Sequence, residues 1–219
     1  MRTTLPTYET QALAADWAEA KAVFERIGEL EVPAAMMVGT RRILYQTVRA
    51  MGAVSVLDIG THTGLSALTF ALAGCDVVTL DKVDANGPNG RWLKFGRRKP
   101  IDTLRAAGVE DRVTFIAQDS LKYLRGPATF DFICIDGCHR ESHVKQELPL
   151  AIARLKPNGL IFMDDMQPPG YVPRPGWDRI PGPWNAVQRL LAAGLKVRVV
   201  PISQTLEGEQ TATAFILAC

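Results

Sequence analysis

The sequence predicts an α/β domain built on a mainly parallel sheet, and three observations carry that prediction. Short β-branched runs alternate with helical periodicities along the chain. The first run, Val54 to Ile59, breaks at Gly60, passes a short turn, and gives way after Gly64 to apolar residues at helical spacing (Leu65, Leu68, Leu72). Asp81 closes the next run, Val77 to Leu80, and stands 21 residues after Gly60. That offset suits a carboxylate receiving the two hydroxyls of a ribose.

Composition bounds the class. The chain has 219 residues, 47% hydrophobic and 22% charged, as in an ordinary globular protein with room for a sizeable core. A net charge of +2 argues against a dominant polyanionic partner. No apolar run is long enough to span a bilayer, and Asp16 and Glu19 interrupt any signal-peptide pattern. Cys75, Cys134, Cys138 and Cys219, without such a signal, suggest reduced thiols in a cytoplasmic protein.

Residues Tyr8 to Leu30 place Leu13, Trp17, Ala20, Phe24 and Ile27 at helical spacing and stop near Gly28. Pro33 opens a second predicted helix that runs to Met51 and stops at Gly52. Residues 1–52 therefore read as a helical extension that covers an edge or a mouth of the main domain, 53–219.

The turn after the first strand is not a dinucleotide fingerprint, because His62 stands where its second glycine would be. Gly60 permits a tight turn, and Gly64 would let a ligand approach the backbone. An acidic residue (Asp58) two before Gly60, with Gly64 four after it, instead resembles motif I of class I S-adenosylmethionine (SAM) methyltransferases. The fuller string Asp-Ile-Gly-Thr-His-Thr-Gly-Leu-Ser is similar to the form found in metal-dependent O-methyltransferases of the catechol and caffeoyl-CoA type. The resemblance covers roughly Met36 to Met166. It implies a Rossmann-like fold: a mostly parallel seven-stranded sheet, last strand antiparallel, with helices on both faces. It also implies that SAM contacts Asp58, Gly60, His62, Gly64 and Ser66 in the turn, and Asp81. Val38, in a segment similar to one that meets the methionine end of SAM, joins that set, with core packing as the alternative. Asp119 and Ser120, after the third strand (Arg112 to Ala117), take the adenine position, although Asp119 also reads as a plain helix cap.

Lys82 to Pro100 departs from the family pattern. Five of nine residues there are basic (Arg91, Lys94, Arg97, Arg98, Lys99), interleaved with Trp92 and Phe95. A solvated loop anchored by its aromatics is favoured over an RNA contact, with a clamp for an anionic small substrate between the two. The fourth strand, Phe130 to Ile135, ends at Asp136. A helix follows from Glu141 to Leu155, then a turn at Lys156 to Gly159. The fifth strand, Leu160 to Met163, ends at Asp164-Asp165. Met166 to Pro183 is rich in proline and glycine, carries Tyr171 and Trp177, and reads as a loop over the substrate. A helix from Trp184 to Ala193 and strands Leu195 to Pro201 and Thr211 to Cys219 complete the chain.

Ligands of open α/β sheets bind beyond the carboxyl ends of the strands, where Gly60, Asp81, Asp119, Asp136 and Asp164 all fall. The fourth and fifth strands should be neighbours, which places Asp136, Asp164 and Asp165 around one cation. Three carboxylates are hard ligands that suit Mg²⁺, with Mn²⁺ or Ca²⁺ as substitutes. Asp136 counts toward the SAM contacts as well. His139 stands where the resembled enzymes carry a lysine, and it is the candidate general base. These features point to a Mg²⁺-dependent O-methyltransferase acting on a hydroxyl of a small molecule (a phenol, a catechol or a sugar of a natural product). That substrate is anionic if the basic stretch binds it. No nucleic-acid or membrane partner is expected, and a homodimer is compatible with the pattern. The alternatives are a metal-independent methyltransferase acting on nitrogen or RNA, and a non-catalytic nucleotide-binding module.

Overall fold

The computed structural model describes residues 10–32, 36–173, 176, 178–202, 205–206, 209–210 and 212–218. Tyr8, Pro33, Trp177, Thr211 and Cys219, and the side chain of Leu13, lie outside the described residues. The strands are β1 (Ser55–Ile59), β2 (Asp76–Asp81), β3 (Val113–Ala117), β4 (Phe130–Ile135), β5 (Leu155–Met163), β6 (Val197–Ile202), a small hairpin β7 (Thr205–Leu206) with β8 (Glu209–Gln210), and β9 (Thr213–Ala218). Seven of them form one sheet in the order β3-β2-β1-β4-β5-β9-β6. The strands from β1 to β5 pair in parallel, and β9 is antiparallel to both β5 and β6. This is the expected sheet with its antiparallel last strand.

Side-chain alternation along the strands divides the core into two layers. Val56, Val77, Phe132, Cys134 and Phe162 face α1 (Thr10–Arg26), α2 (Val38–Met51), α3 (Leu65–Leu72) and Leu104 of α5 (Pro100–Ala107). Leu57, Ile59, Ile133, Ile135, Ile161 and Met163 face α7 (Glu141–Ile152) and α8 (Gly182–Ala192). The two terminal helices share the first layer through Trp17, Phe24, Leu44 and Val48. Arg41 is buried beside them with its guanidinium 4.5 Å from the centre of the Phe24 ring. No helix among the described residues is long and apolar enough to cross a membrane.

Most element ends shift by one or two residues from expectation, and three differences bear on the site or its frame. The second helix starts at Val38, because Met37 is still extended (φ −60°, ψ 152°). The segment Lys156 to Gly159 does not precede β5 but lies inside it. Leu155 already pairs with Phe130, the register slips before Leu160 meets Phe132, and Asn158 takes a left-handed φ of 63°. A bulge keeps local turn residues within a longer strand. The helix after β4 stops at Ile152, three residues early, with Pro149 inside its last turn and Leu155 already in β5. Within the basic stretch, Arg91–Lys94 form one further helical turn, α4.

The parallel register brings Ile59, Leu80, Ile135 and Met163 level, so the residues after them share one rim. Gly60 is where β1 crosses closest to the chain after β4. Its φ is +113°, and a Cβ built on it would stand 2.2 Å from the carbonyl oxygen of Asp136. Gly60→Ala is expected to lower unfolding stability by about 3 kcal/mol or more, since a strained φ and a backbone clash coincide. Urea unfolding of the two proteins, read by circular dichroism, measures the loss.

Candidate active site

The rim gathers two groups of polar residues on either side of that crossing. On the β1–β2 side the turn runs Gly60-Thr61-His62-Thr63-Gly64. His62 as well as both glycines has positive φ (47°), which a glycine count cannot reveal. Its backbone N–H donates to Asp81 Oδ2 at 3.3 Å, and its ring packs 5.3 Å from that of Phe95 in the basic segment. Burial first, then the nearby Arg91 charge, lowers the His62 pKa. Gly64 begins α3 without a side-chain cap, leaving the first helical N–H groups without one. Its φ is +83°, and a Cβ built on it would stand 2.8 Å from Pro100.

Below the turn, Asp58 is fully buried. Its Oδ2 accepts from Ser66 at 2.9 Å and from Thr79 at 2.8 Å, while Oδ1 has no partner. Thr79 was missed in the sequence; it faces Asp58 because the register pairs the two directly. Ser66 is committed to Asp58, and Val38 is buried in the core layer through its side chain. Asp119 caps α6 (Ser120–Tyr123), accepting from the Leu121 N–H at 3.0 Å. Ser120 turns toward α7 instead, donating to buried Glu147 and lying 3.1 Å from His143 Nε2.

On the β4–β5 side the structure draws together Asp136, His139 and Asp165. His139 Nε2 lies 3.3 Å from Asp136 Oδ1 and 3.3 Å from Asp165 Oδ2. Asp164 is next to this set, although its carboxylate is not one of the three that converge. Burial, then the charges of Asp136 and Asp165, pushes the Asp164 carboxyl well above its usual range. For His139 burial alone would lower the pKa; the Asp136 hydrogen bond and the surrounding carboxylates overcome it and raise it to about 9. An imidazolium thus stands between carboxylates where the sequence placed a cation. Such crowding of anions suits a divalent ion with oxygen ligands.

The basic segment is mostly exposed, but Arg97 is not. It donates to the Glu29 carboxylate at 2.8 Å and to the Gly28 carbonyl at 2.8 Å, with Glu29 4% exposed. The pair ties the segment to the end of the first helix. Of the five bases this one has a structural role, which no local pattern announced.

Asp58 gives a stability test with a definite sign. Burial raises its pKa from 3.8 to about 7, ahead of the opposing hydrogen bonds from Thr79 and Ser66. The unfolded chain releases this proton at lower pH than the folded one. Its contribution is therefore full below pH 3.8 and is lost as pH rises through about 7. Asp58→Asn should flatten the stability profile across that window by up to about 4 kcal/mol, measured by urea unfolding at a series of pH values.

Comparison with known proteins adds to this geometry. The family model described as a methyltransferase domain matches residues 57–166. A caffeoyl-CoA O-methyltransferase of Populus kitakamiensis is 26% identical over 214 residues, covering 90% of this chain and 86% of the relative. A caffeoyl-CoA O-methyltransferase-like protein of Arabidopsis thaliana is 29% identical over 153 residues, which is 68% of this chain but only 60% of the relative. Among solved structures, the O-methyltransferase TomG of Streptomyces achromogenes, involved in tomaymycin synthesis and crystallised with SAM, superposes with a TM-score of 0.63. It is 21% identical and is matched over 98% of this chain and 92% of its own.

Proposed function

Since the chain belongs to the methyltransferase-domain family, we propose that it is a SAM-dependent O-methyltransferase whose acceptor is a small hydroxylated molecule held by a divalent cation. The observation that carries this reading is the single rim. The glycine turn and the Asp136–His139–Asp165 cluster touch through Gly60 and the Asp136 carbonyl. A methyl donor on one side and an acceptor oxygen on the other are then neighbours, as displacement requires.

Several features support SAM at the turn. Asp58 Oδ1 is an orphaned buried acceptor, the α3 N-terminus lacks a side-chain cap, and Asp81 and Asp119 end the adjoining strands. We assign Asp81 to the ribose hydroxyls, Asp119 to the adenine, and the uncapped α3 N–H groups to the carboxylate of the donor. Asp136 and Asp165 are the proposed cation ligands, with Asp164 as the third; Mg²⁺ or Mn²⁺ suits these oxygens. The cation, when bound, supplies a Lewis acid that acidifies the acceptor hydroxyl.

His139 Nε2 takes the acceptor proton as general base. Without a cation its two carboxylate partners hold its own proton to about pH 9. Base and cation belong to one proposal, because the carboxylates that hold the His139 proton are the ones that would hold a cation. Helices α1 and α2, joined to the basic segment by Glu29 and Arg97, are proposed to cover the mouth, with Arg91 and Lys94 favouring an anionic acceptor. The described cysteines (Cys75, Cys134, Cys138) are unpaired, which supports a reducing compartment.

Turnover should vanish on adding a chelator and return with Mg²⁺ or Mn²⁺, while SAM affinity measured calorimetrically stays unchanged. Asp165→Ala should cut kcat at least about 100-fold and leave the SAM dissociation constant within about threefold. Chelator-resistant turnover in a panel of phenols, sugars and acyl-thioester phenols would establish the metal-independent alternative instead.

A further inference from the structure

Gln167 leaves the acidic cluster two residues after Asp165, and it is 6% exposed. All four of its polar groups are engaged. Its Nε2 donates to Asp165 Oδ1 at 3.0 Å, and its backbone N–H donates to the Asp165 carbonyl at 2.8 Å. The other two reach across the proline-rich loop. Oε1 accepts from the Ile180 N–H at 2.6 Å, and the carbonyl accepts from the Arg179 guanidinium at 3.3 Å. A backbone N–H can only donate, so the atom facing Ile180 must be the amide oxygen, which turns the amide nitrogen to the Asp165 carboxylate.

Asp165 itself is held at φ 51°, a left-handed value that a non-glycine residue keeps only when its surroundings impose it. The same loop closes on the other side of the cluster. Gly182, two residues beyond Ile180, packs so tightly on His139 that a Cβ would stand 1.9 Å from the His139 carbonyl oxygen. The loop thus departs from Asp165 and returns against His139, and Gln167 is the side chain that fastens its two limbs.

We infer that Gln167 is a positioning residue that couples the loop over the acceptor to the reacting groups: it holds Asp165 Oδ1 so that Oδ2 faces His139, and it seats the Arg179–Ile180 limb against the same carboxylate. This rests on the proposed O-methyl transfer and specifies how its acceptor cover is joined to its carboxylates. A neutral amide suits the task. It can donate to Asp165 without competing for a cation, as a lysine or arginine there would.

The test uses the full chain. Trypsin cleavage at Arg179–Ile180 is timed in EDTA for wild type, Gln167→Met, Asp165→Ala and the double variant, with circular dichroism to check folding. Each single substitution should speed cleavage about tenfold, and the pair no more than either alone, because both break one chain of contacts. Unchanged cleavage in Asp165→Ala, or additive effects in the pair, would overturn the coupling. Should Gln167→Met fail to fold, Gln167→Asn keeps the amide but is too short to span both partners, and the same pattern is required of it. Mn²⁺ uptake, followed by the loss of the free-ion electron paramagnetic resonance signal, should be about fivefold weaker in Gln167→Met than in wild type. Equal uptake contradicts the positioning role, whereas no uptake by wild type refutes the cation reading and leaves the cleavage cycle to decide on Gln167.

Discussion

The close crossing of Gly60 with Asp136 is the constraint on which the rest of the structure depends. The Asp136 N–H donates to the Ile59 carbonyl at 2.9 Å, and the Asp136 carbonyl occupies the space that any side chain at position 60 would need. Two segments 76 residues apart are thereby fixed at contact distance. The glycine turn and the carboxylate cluster become one site. A sheet with a bulkier residue at position 60 would separate them by pushing β1 away from β4, and the fold could persist while the chemistry did not.

Electrostatics then divides that site. On one side a buried carboxyl, Asp58, carries a pKa near neutrality because burial outweighs two hydroxyl donors. On the other side a half-exposed imidazole, His139, is pulled the opposite way by surrounding carboxylates. Burial disfavours charge in both cases, and the sign of each outcome depends on whether neighbouring charges oppose it. Both proposed ligands, a sulfonium near the turn and a divalent ion in the cluster, would be cations facing carboxylates.

The surroundings of the site are joined to it by single side chains with many partners. Glu29 and Arg97 connect the terminal helices to the basic segment, and Gln167 connects Asp165 to the returning limb of the loop. The first link joins residues 68 apart in sequence, and the second closes one loop on itself. This is how a site assembled from loops acquires a defined shape, since the strands fix only where each loop begins and ends.

The sequence by itself determined the sheet, its polarity and its rim. Strand and helix periodicities are local, and so are the glycine turn and the aspartates at strand ends, so they could be read residue by residue; the seven strands and the antiparallel last one followed from the resemblance those motifs carry, while the full strand order came from the structure. What only the tertiary structure decided is which side chains meet. Thr79 reaches Asp58 through strand register, and Pro100 fills the space at Gly64. Ser120 turns to Glu147, and His139 rather than Asp164 stands between Asp136 and Asp165. Each of these is a contact between separate elements, set by packing angles and rotamers that no single segment encodes. The left-handed backbone of His62 and Asp165 belongs here too, because no residue count announces it; at His62 it accompanies a hydrogen bond to Asp81 on the next strand.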